Sequence, residues 1–257
     1  MTTSPFFFKK FSILHDKSAM KVGTDAILVS MLSLNLINNK DKKYEVLDIG
    51  TGCGVIALIL AQNLQNSNIT AIDIDSDSVN ESLINFKNSP WKERLACYNK
   101  DLDSFTKDHL NNTINKTIST NLYDIIISNP PYFVNSLKSK NNKRNKARHT
   151  DMLPFNVLAM CVSKLLNKNG KFFCILPFEA TKSFLQFATI NSLYCYNFTK
   201  IYSKVNDINP KRAMLAFCKD NTVVKENNFY IYLKDNVYTN EYLELTKDLL
   251  FINKQQI

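Results

Sequence analysis

Glycine is scarce in this chain, with five in 257 residues, where average usage of about 7% would give roughly eighteen. Three of the five fall on alternate positions inside Val46-Leu47-Asp48-Ile49-Gly50-Thr51-Gly52-Cys53-Gly54. A composition that avoids glycine so strongly elsewhere needs bare backbone at this point. An apolar strand ends at Ile49 and an apolar helix begins near Val55, so the glycines form the turn between them. A plain tight connection needs only one or two glycines. Three let a ligand approach the main chain closely, with the positive end of the following helix behind it.

Other absences narrow the class. No apolar run approaches the ~20 residues of a membrane-spanning helix; the densest is Val55 to Ala61. Phe6-Phe7-Phe8 is too short for a signal-peptide core and has no basic segment before it. A cytoplasmic protein without membrane attachment is expected. The six cysteines (53, 97, 161, 174, 195 and 218) form no C-x-x-C pair. They read as buried thiols in a reducing compartment, with no metal site and no disulfide framework. Carboxylates are missing from Ile125 to Thr150, while Lys138, Lys140, Lys143, Arg144, Lys146 and Arg148 supply six positive charges there. With 32 Lys and Arg against 23 Asp and Glu, the chain carries +9, and this surplus suits a polyanionic partner. The basic run is compatible with a solvated loop as well as with phosphate contacts.

Along the chain, apolar strand patterns alternate with helix-period segments. Strands are expected at Glu45–Ile49, Ile69–Ile72, Leu95–Tyr98, Tyr123–Ser128, Lys171–Leu176, Asn197–Tyr202 and Ala213–Cys218. Helices are expected at Thr24–Ile37, Val55–Leu64, Asp77–Phe86, Met152–Asn167 and Ala180–Thr189. Alternation of this kind gives a parallel sheet covered on both faces, and the continuous run Ile125-Ile126-Ile127 suits such a strand. Ser203 to Arg212 is short and polar, so the last two core strands should pair antiparallel. The fold class is therefore α/β: a Rossmann-like, seven-stranded, mostly parallel sheet ending in an antiparallel hairpin. Phe229–Leu233 and Tyr238–Phe251 look like an extra strand and a terminal helix, and Asn111–Asn121 and Ser139–Asn145 like surface loops. One domain over 1–257 is expected, with 1–43 as a cap segment and 222–257 as a C-terminal extension.

Two further constellations carry chemistry. Asp73, in Ala71-Ile72-Asp73-Ile74-Asp75, follows the glycine turn by about 20 residues, a spacing suited to accepting ribose hydroxyls. Ile74 would lie against an adenine face, Asp75 would cap the next helix, and Asp73 has capping as its alternative. Ser128-Asn129-Pro130-Pro131-Tyr132-Phe133 ends the fourth strand at the carboxyl edge, where open α/β sheets bind ligands. Proline fixes its own φ and restricts the residue before it, so the carbonyls of Asn129 and Pro130 point in set directions. An amino group can then donate one hydrogen to the Asn129 side chain and one to the Pro130 carbonyl. Tyr132 offers an aromatic face to a planar base or amide.

Asp48-x-Gly50-x-Gly52-x-Gly54 is tighter than the G-x-G-x-x-G of dinucleotide-binding folds. It resembles motif I of the S-adenosylmethionine-dependent methyltransferases, in which Asp48 lies near the cofactor's amino group. Asn129-Pro130-Pro131-Tyr132 resembles motif IV of those members that methylate planar amino or amide nitrogens. The same resemblance sets Asp101, or else Asp103, near the cofactor's adenine amine. The segment from Phe11 to Leu28, including His15-Asp16-Lys17-Ser18-Ala19-Met20-Lys21-Val22-Gly23-Thr24-Asp25, resembles the opening signature of the bacterial valine-tRNA adenine-37 N6-methyltransferases. The likeness continues through Ala147-Arg148-His149 and Tyr238-Thr239-Asn240-Glu241-Tyr242 to Asp248, nearly the whole chain.

That resemblance implies S-adenosyl-L-methionine as cofactor, tRNA as partner, no metal and action as a monomer. It places Gly23, Thr24 and Asp25 at the cofactor's methionine end. Lys138, Lys143, Arg144, Lys146, Arg148 and Arg212 then face RNA. Arg212 also reads as a surface charge, and His15 as a capped surface histidine or a binding residue. With some 44 residues before the first strand, the helical substrate domain of release-factor glutamine methyltransferases is not expected. The alternatives are an rRNA adenine or guanine amine methyltransferase, a protein glutamine methyltransferase, and a non-catalytic RNA-binding relative.

Overall fold

A computed structural model describes residues 4–18, 21–114, 122–131, 153–253 and 256. A short antiparallel hairpin, β1 (Phe6–Phe7) with β2 (Ser12–Ile13), precedes the main sheet. The seven expected strands follow as β3 (Glu45–Ile49), β4 (Asn68–Asp73), β5 (Leu95–Asn99), β6 (Tyr123–Ser128), β7 (Leu166–Pro177), β8 (Tyr194–Lys204) and β9 (Arg212–Cys218). The extra strand runs longer than expected, as β10 (Lys225–Lys234), and pairs parallel with β8. With β11 (Val237–Tyr238) at its edge, the sheet has nine strands among the described residues, in the order β11-β10-β8-β9-β7-β6-β3-β4-β5. The seven-strand expectation thus describes its core. β9 alone runs against both of its neighbours, β7 and β8, so the expected antiparallel hairpin is present.

Helices α1 (Thr24–Asn35), α2 (Val55–Asn63), α3 (Ser76–Lys87), α4 (Leu102–Ile114), α5 (Phe155–Leu165), α6 (Thr181–Ile190) and α7 (Asn240–Thr246) cover the sheet. Ile125 and Ile127 of β6 pack with α1 and α2 on one face, and Ile126 packs with α5 on the other. That two-sided burial explains the unbroken apolar run in β6. Helix α4 has no counterpart among the expected helices, and its last turn takes in 111–114 of the expected polar loop. The terminal helix is shorter than expected because Tyr238 pairs in β11 and the Thr239 hydroxyl caps the Tyr242 amide at 3.1 Å. Five of the six cysteines are buried and all are free; burial pushes the Cys53 thiol up to about 12. No helix among the described residues is long and apolar enough to cross a membrane.

Candidate active site

The loop after β3 is shaped by its own backbone. Gly50, Gly52 and Gly54 have φ of 70°, 56° and 87°, a region that side chains with a Cβ rarely adopt. A Cβ on Gly50 or Gly52 would meet nothing within 4 Å, whereas one on Gly54 would strike the Phe86 ring at 2.6 Å. Two glycines therefore bare the loop toward open space, and the third lets it pack on α3. The Gly50 and Thr51 amides donate to the Ile72 carbonyl at 2.9 and 3.1 Å, tying the loop to β4.

Carboxylates hold this loop from two sides. Asp73 accepts from the Gly52 amide at 2.8 Å and from the Asp75 amide at 2.9 Å, and burial raises its pKa above the usual value. Asp75 caps α3, as expected, by accepting from the Ser78 amide at 2.9 Å. Asp48 is fully buried and does not line the cleft: Thr51 donates to its Oδ2 at 2.6 Å, while its Oδ1 finds no partner among the described residues. Burial, reinforced by the charge of Asp73, pushes the Asp48 carboxyl up to about 7 against the Thr51 hydrogen bond. Asp101 accepts from the Ser104 amide at 2.9 Å at the start of α4. The ion pair between Asp103 and Lys107 spans 2.5 Å.

The N-terminal segment is clamped against α3. Glu81 accepts from the amides of Asp16, Lys17 and Ser18 at 2.7, 3.0 and 3.0 Å, and from the Ser18 hydroxyl at 2.6 Å. Burial alone would raise its pKa, but these four donors bring it below the usual value. One turn on, the Asn85 amide donates to the Leu14 and Cys53 carbonyls at 2.9 and 2.8 Å, joining this segment to the glycine loop. His15 accepts from the Val22 amide at 3.2 Å, a local backbone role. Gly23 then caps α1, and Asp25 in its first turn pairs with Arg212 of β9 at 2.8 Å. Arg212, expected at RNA, is thus held in the wall of the cleft.

Ile49 pairs with Ser128 across β3 and β6, so Gly50 and Asn129 leave neighbouring strand ends. The Ser128 hydroxyl donates to the Ile49 carbonyl at 2.9 Å, locking the two ends together. Asn129 Oδ1 is buried and has no hydrogen-bond partner among the described residues. Buried acceptors are almost always satisfied, so this oxygen stands out as an unmet acceptor beside the glycine turn.

Together these groups line one cleft of about 990 Å³, at the upper end of the range for small-molecule sites. Its wall contains Gly23–Asp25, Gly50, Gly52, Asp73, Ile74, Asp101, Asn129, Pro130, Pro131 and Arg212, but neither Asp48 nor Gly54. Tyr132, Lys138, Lys143, Arg144, Lys146 and Arg148 lie outside the described residues. Lys17, Lys21, Lys100, Leu153, Pro154 and Val157 also line the cleft, though the sequence reading gave them no role. Glu81 and Asn85 had a visible signal: Ser78, Glu81, Ser82 and Asn85 form a polar stripe at helical spacing, and all four are buried. No group of three or more His, Cys, Asp or Glu among the described residues is arranged to hold a metal ion.

Residues 17–150 match the family model of the methyltransferase small domain. The fold is shared with the crystal structure of a predicted O-methyltransferase from Agrobacterium tumefaciens, with a TM-score of 0.65 at 13% identity, over 88% of this chain and 96% of that one. The class is that of the Rossmann-like methyltransferases. The chain is 40% identical over 248 residues to a tRNA1(Val) (adenine(37)-N6)-methyltransferase of Phocaeicola vulgatus, covering 95% of this chain and 97% of that protein. It is 35% identical over 242 residues to the Flavobacterium psychrophilum enzyme of the same name, covering 94% and 97%. The chain belongs to the tRNA1(Val) (adenine(37)-N6)-methyltransferase family.

Proposed function

We propose that this chain methylates the N6 amine of adenosine 37 in valine tRNA, using S-adenosyl-L-methionine. When bound, the cofactor supplies an electrophilic methyl group. The residues fit it: Gly50 and Gly52 leave open space where side chains would stand. Asp73 accepts two loop amides and keeps lone pairs for ribose hydroxyls. Ile74, 57% exposed, would lie against adenine, and Asp101, or else Asp103, both in the cleft wall, would accept from the adenine amine. Gly23, Thr24 and Asp25 hold the methionine end, with Asp48 beneath the turn.

The observation that carries the reading is the orphaned Asn129 oxygen, one strand from the glycine turn. Asn129 accepts one hydrogen of the target amine, and the Pro130 carbonyl accepts the other. Held this way, the nitrogen turns its lone pair out of conjugation with the ring and toward the methyl donor. The methylated nitrogen then releases one proton to water. Positioning supplies most of the catalysis, so neither a metal nor a covalent intermediate is needed. Tyr132 stacks on the flipped base, and Lys138, Lys143, Arg144, Lys146 and Arg148 contact phosphates around it. Action as a cytoplasmic monomer belongs to the same proposal.

The test is nucleoside mass spectrometry of tRNA incubated with the protein and isotopically labelled cofactor. N6-methyladenosine at position 37 of valine tRNA is expected. Label in another nucleoside, or none, would overturn the reading.

A further inference from the structure

The extension after β9 widens the sheet on the side of Asn129, and the cleft gives it no task. Outward from β6 the strands run β7, β9, β8, β10. Neighbouring strands lie about 4.8 Å apart, so the ends of β9, β8 and β10 stand roughly 10, 14 and 19 Å from that of β6. Pro177 pairs with Arg212, Ile201 with Arg212, and Lys204 with Tyr232, so these ends share the edge that carries Asn129.

The loop joining β8 to β9 is fixed at that edge. The Lys204 amide donates to Asp207 Oδ2 at 3.0 Å, and the Asp207 amide donates back to the Lys204 carbonyl at 3.1 Å. The Val205 amide donates to the Tyr232 carbonyl at 3.0 Å, and the Lys211 amide to the Ile201 carbonyl at 2.9 Å. This framework holds Ile208 90% exposed, with Val205 40% exposed beside it. A single exposed aliphatic residue is ordinary, but the strand that leads into this loop also contributes to an aromatic pair. Tyr202 of β8 stacks on Tyr230 of β10 at 4.9 Å and 22°. From Phe198 to Arg212 the chain carries Lys200, Lys204, Lys211 and Arg212, of which Arg212 is held by Asp25. Lys200 and Lys204 pair with Glu226 and Asp235. Such surface pairs are worth little, so a phosphate competes for either lysine at small cost.

Aromatic faces, a fixed aliphatic tip and lysines held only in weak surface pairs are what an unpaired nucleic-acid strand binds. We infer that the edge from Arg212 through Val205–Lys211 to the Tyr202–Tyr230 stack holds the nucleotides flanking the target base. The inference rests on the proposed tRNA activity and gives the extension its role. At about 3.4 Å per stacked nucleotide, roughly four nucleotides span the 14 Å from β6 to β8, which keeps the contact within one RNA loop.

The test is fluorescence anisotropy of a labelled valine-tRNA anticodon stem-loop against full-length wild type, I208D, K211A and Y202L, over a salt series. K211A should flatten the log–log salt slope by about 0.7–0.9, and Y202L should weaken binding at least roughly fivefold. I208D should weaken it as well, by placing a carboxylate against the backbone phosphates. Cofactor affinity, read by calorimetry, should match wild type in all three, which also reports an intact fold. Wild-type affinity and slope in all three variants would overturn the inference, as would a wild-type protein that does not bind the stem-loop. Methyl transfer is measured separately, so a wild type that binds this RNA but methylates none removes the proposed activity and leaves the surface standing.

Discussion

The Gly52 amide donates to Asp73 Oδ2 at 2.8 Å, so one carboxylate fixes the turn after β3 from the end of β4. The same side chain that would take the ribose hydroxyls also sets the loop they lie against. Its second oxygen accepts from the Asp75 amide at 2.9 Å and orients the start of α3.

Asp73→Ala should therefore weaken S-adenosylmethionine binding by about 1.5–3 kcal/mol, through the loss of a charged acceptor. Isothermal calorimetry on a variant with wild-type circular dichroism reads this directly. An unchanged affinity would take Asp73 out of the site.

A pH effect follows from Asp48, whose carboxyl titrates at about 7 in the folded chain because it is buried. An exposed Asp titrates near 3.9, so the folded state holds this proton more tightly than the unfolded state does. The contribution to stability is intact below about pH 4 and is lost as the pH rises through about 7. The total is on the order of 4 kcal/mol. Urea denaturation of the ligand-free protein at pH 5 and pH 8 should show the larger part of this loss, about 3 kcal/mol, and Asp48→Asn should reduce it. Equal pH dependence in the two proteins would contradict this role for Asp48.

The glycines separate binding from folding. Gly52→Ala costs about 1–2 kcal/mol for its left-handed backbone, and its Cβ projects into open space on the cleft side. It should remain folded while losing cofactor affinity. Gly54→Ala adds a clash with the Phe86 ring at 2.6 Å, and should show the larger fall in melting temperature. Scanning calorimetry with and without cofactor distinguishes the two; equal melting temperatures would count against the packing argument.

Much of this was legible in the sequence, because the informative residues are those whose chemistry is tied to position. Clustered glycines imply a bared turn, Asn-Pro-Pro implies fixed carbonyls, and continuous apolar runs imply doubly covered strands. Helix α4 was not legible: Asp, Asn, Thr and Ser interrupt its apolar pattern, and only a narrow face with Leu102 and Phe105 is buried. The first half of β10, Lys-Glu-Asn-Asn, reads as a loop, yet pairing with β8 makes it a strand. The polar stripe with Glu81 and Asn85 is visible at helical spacing, but only the N-terminal segment folding over it makes it a buried clamp rather than a solvated face. Arg212 reads as a surface cation until Asp25 meets it from α1.

The basic run after the Asn-Pro-Pro turn gives a prediction of its own. Neutralising Lys143, Arg144, Lys146 and Arg148 together should weaken tRNA binding and flatten its salt dependence by up to about 0.7–0.9 per lost contact. Filter binding across a salt series measures this, with cofactor affinity as the control. An unchanged slope would move the phosphate contacts elsewhere, with Lys9-Lys10 the next pair to test.

The central claim is that Asn129 Oδ1, buried and without a hydrogen-bond partner among the described residues, accepts from the target amine as methyl transfer begins. The direct measurement is the single-turnover rate of methyl transfer to valine tRNA by Asn129→Ala, with cofactor and tRNA both saturating. A fall of about 10²–10³-fold is expected, comparable to the loss of one oxyanion-hole donor, with a much smaller change in cofactor affinity. A rate near that of wild type would contradict the two-acceptor mechanism.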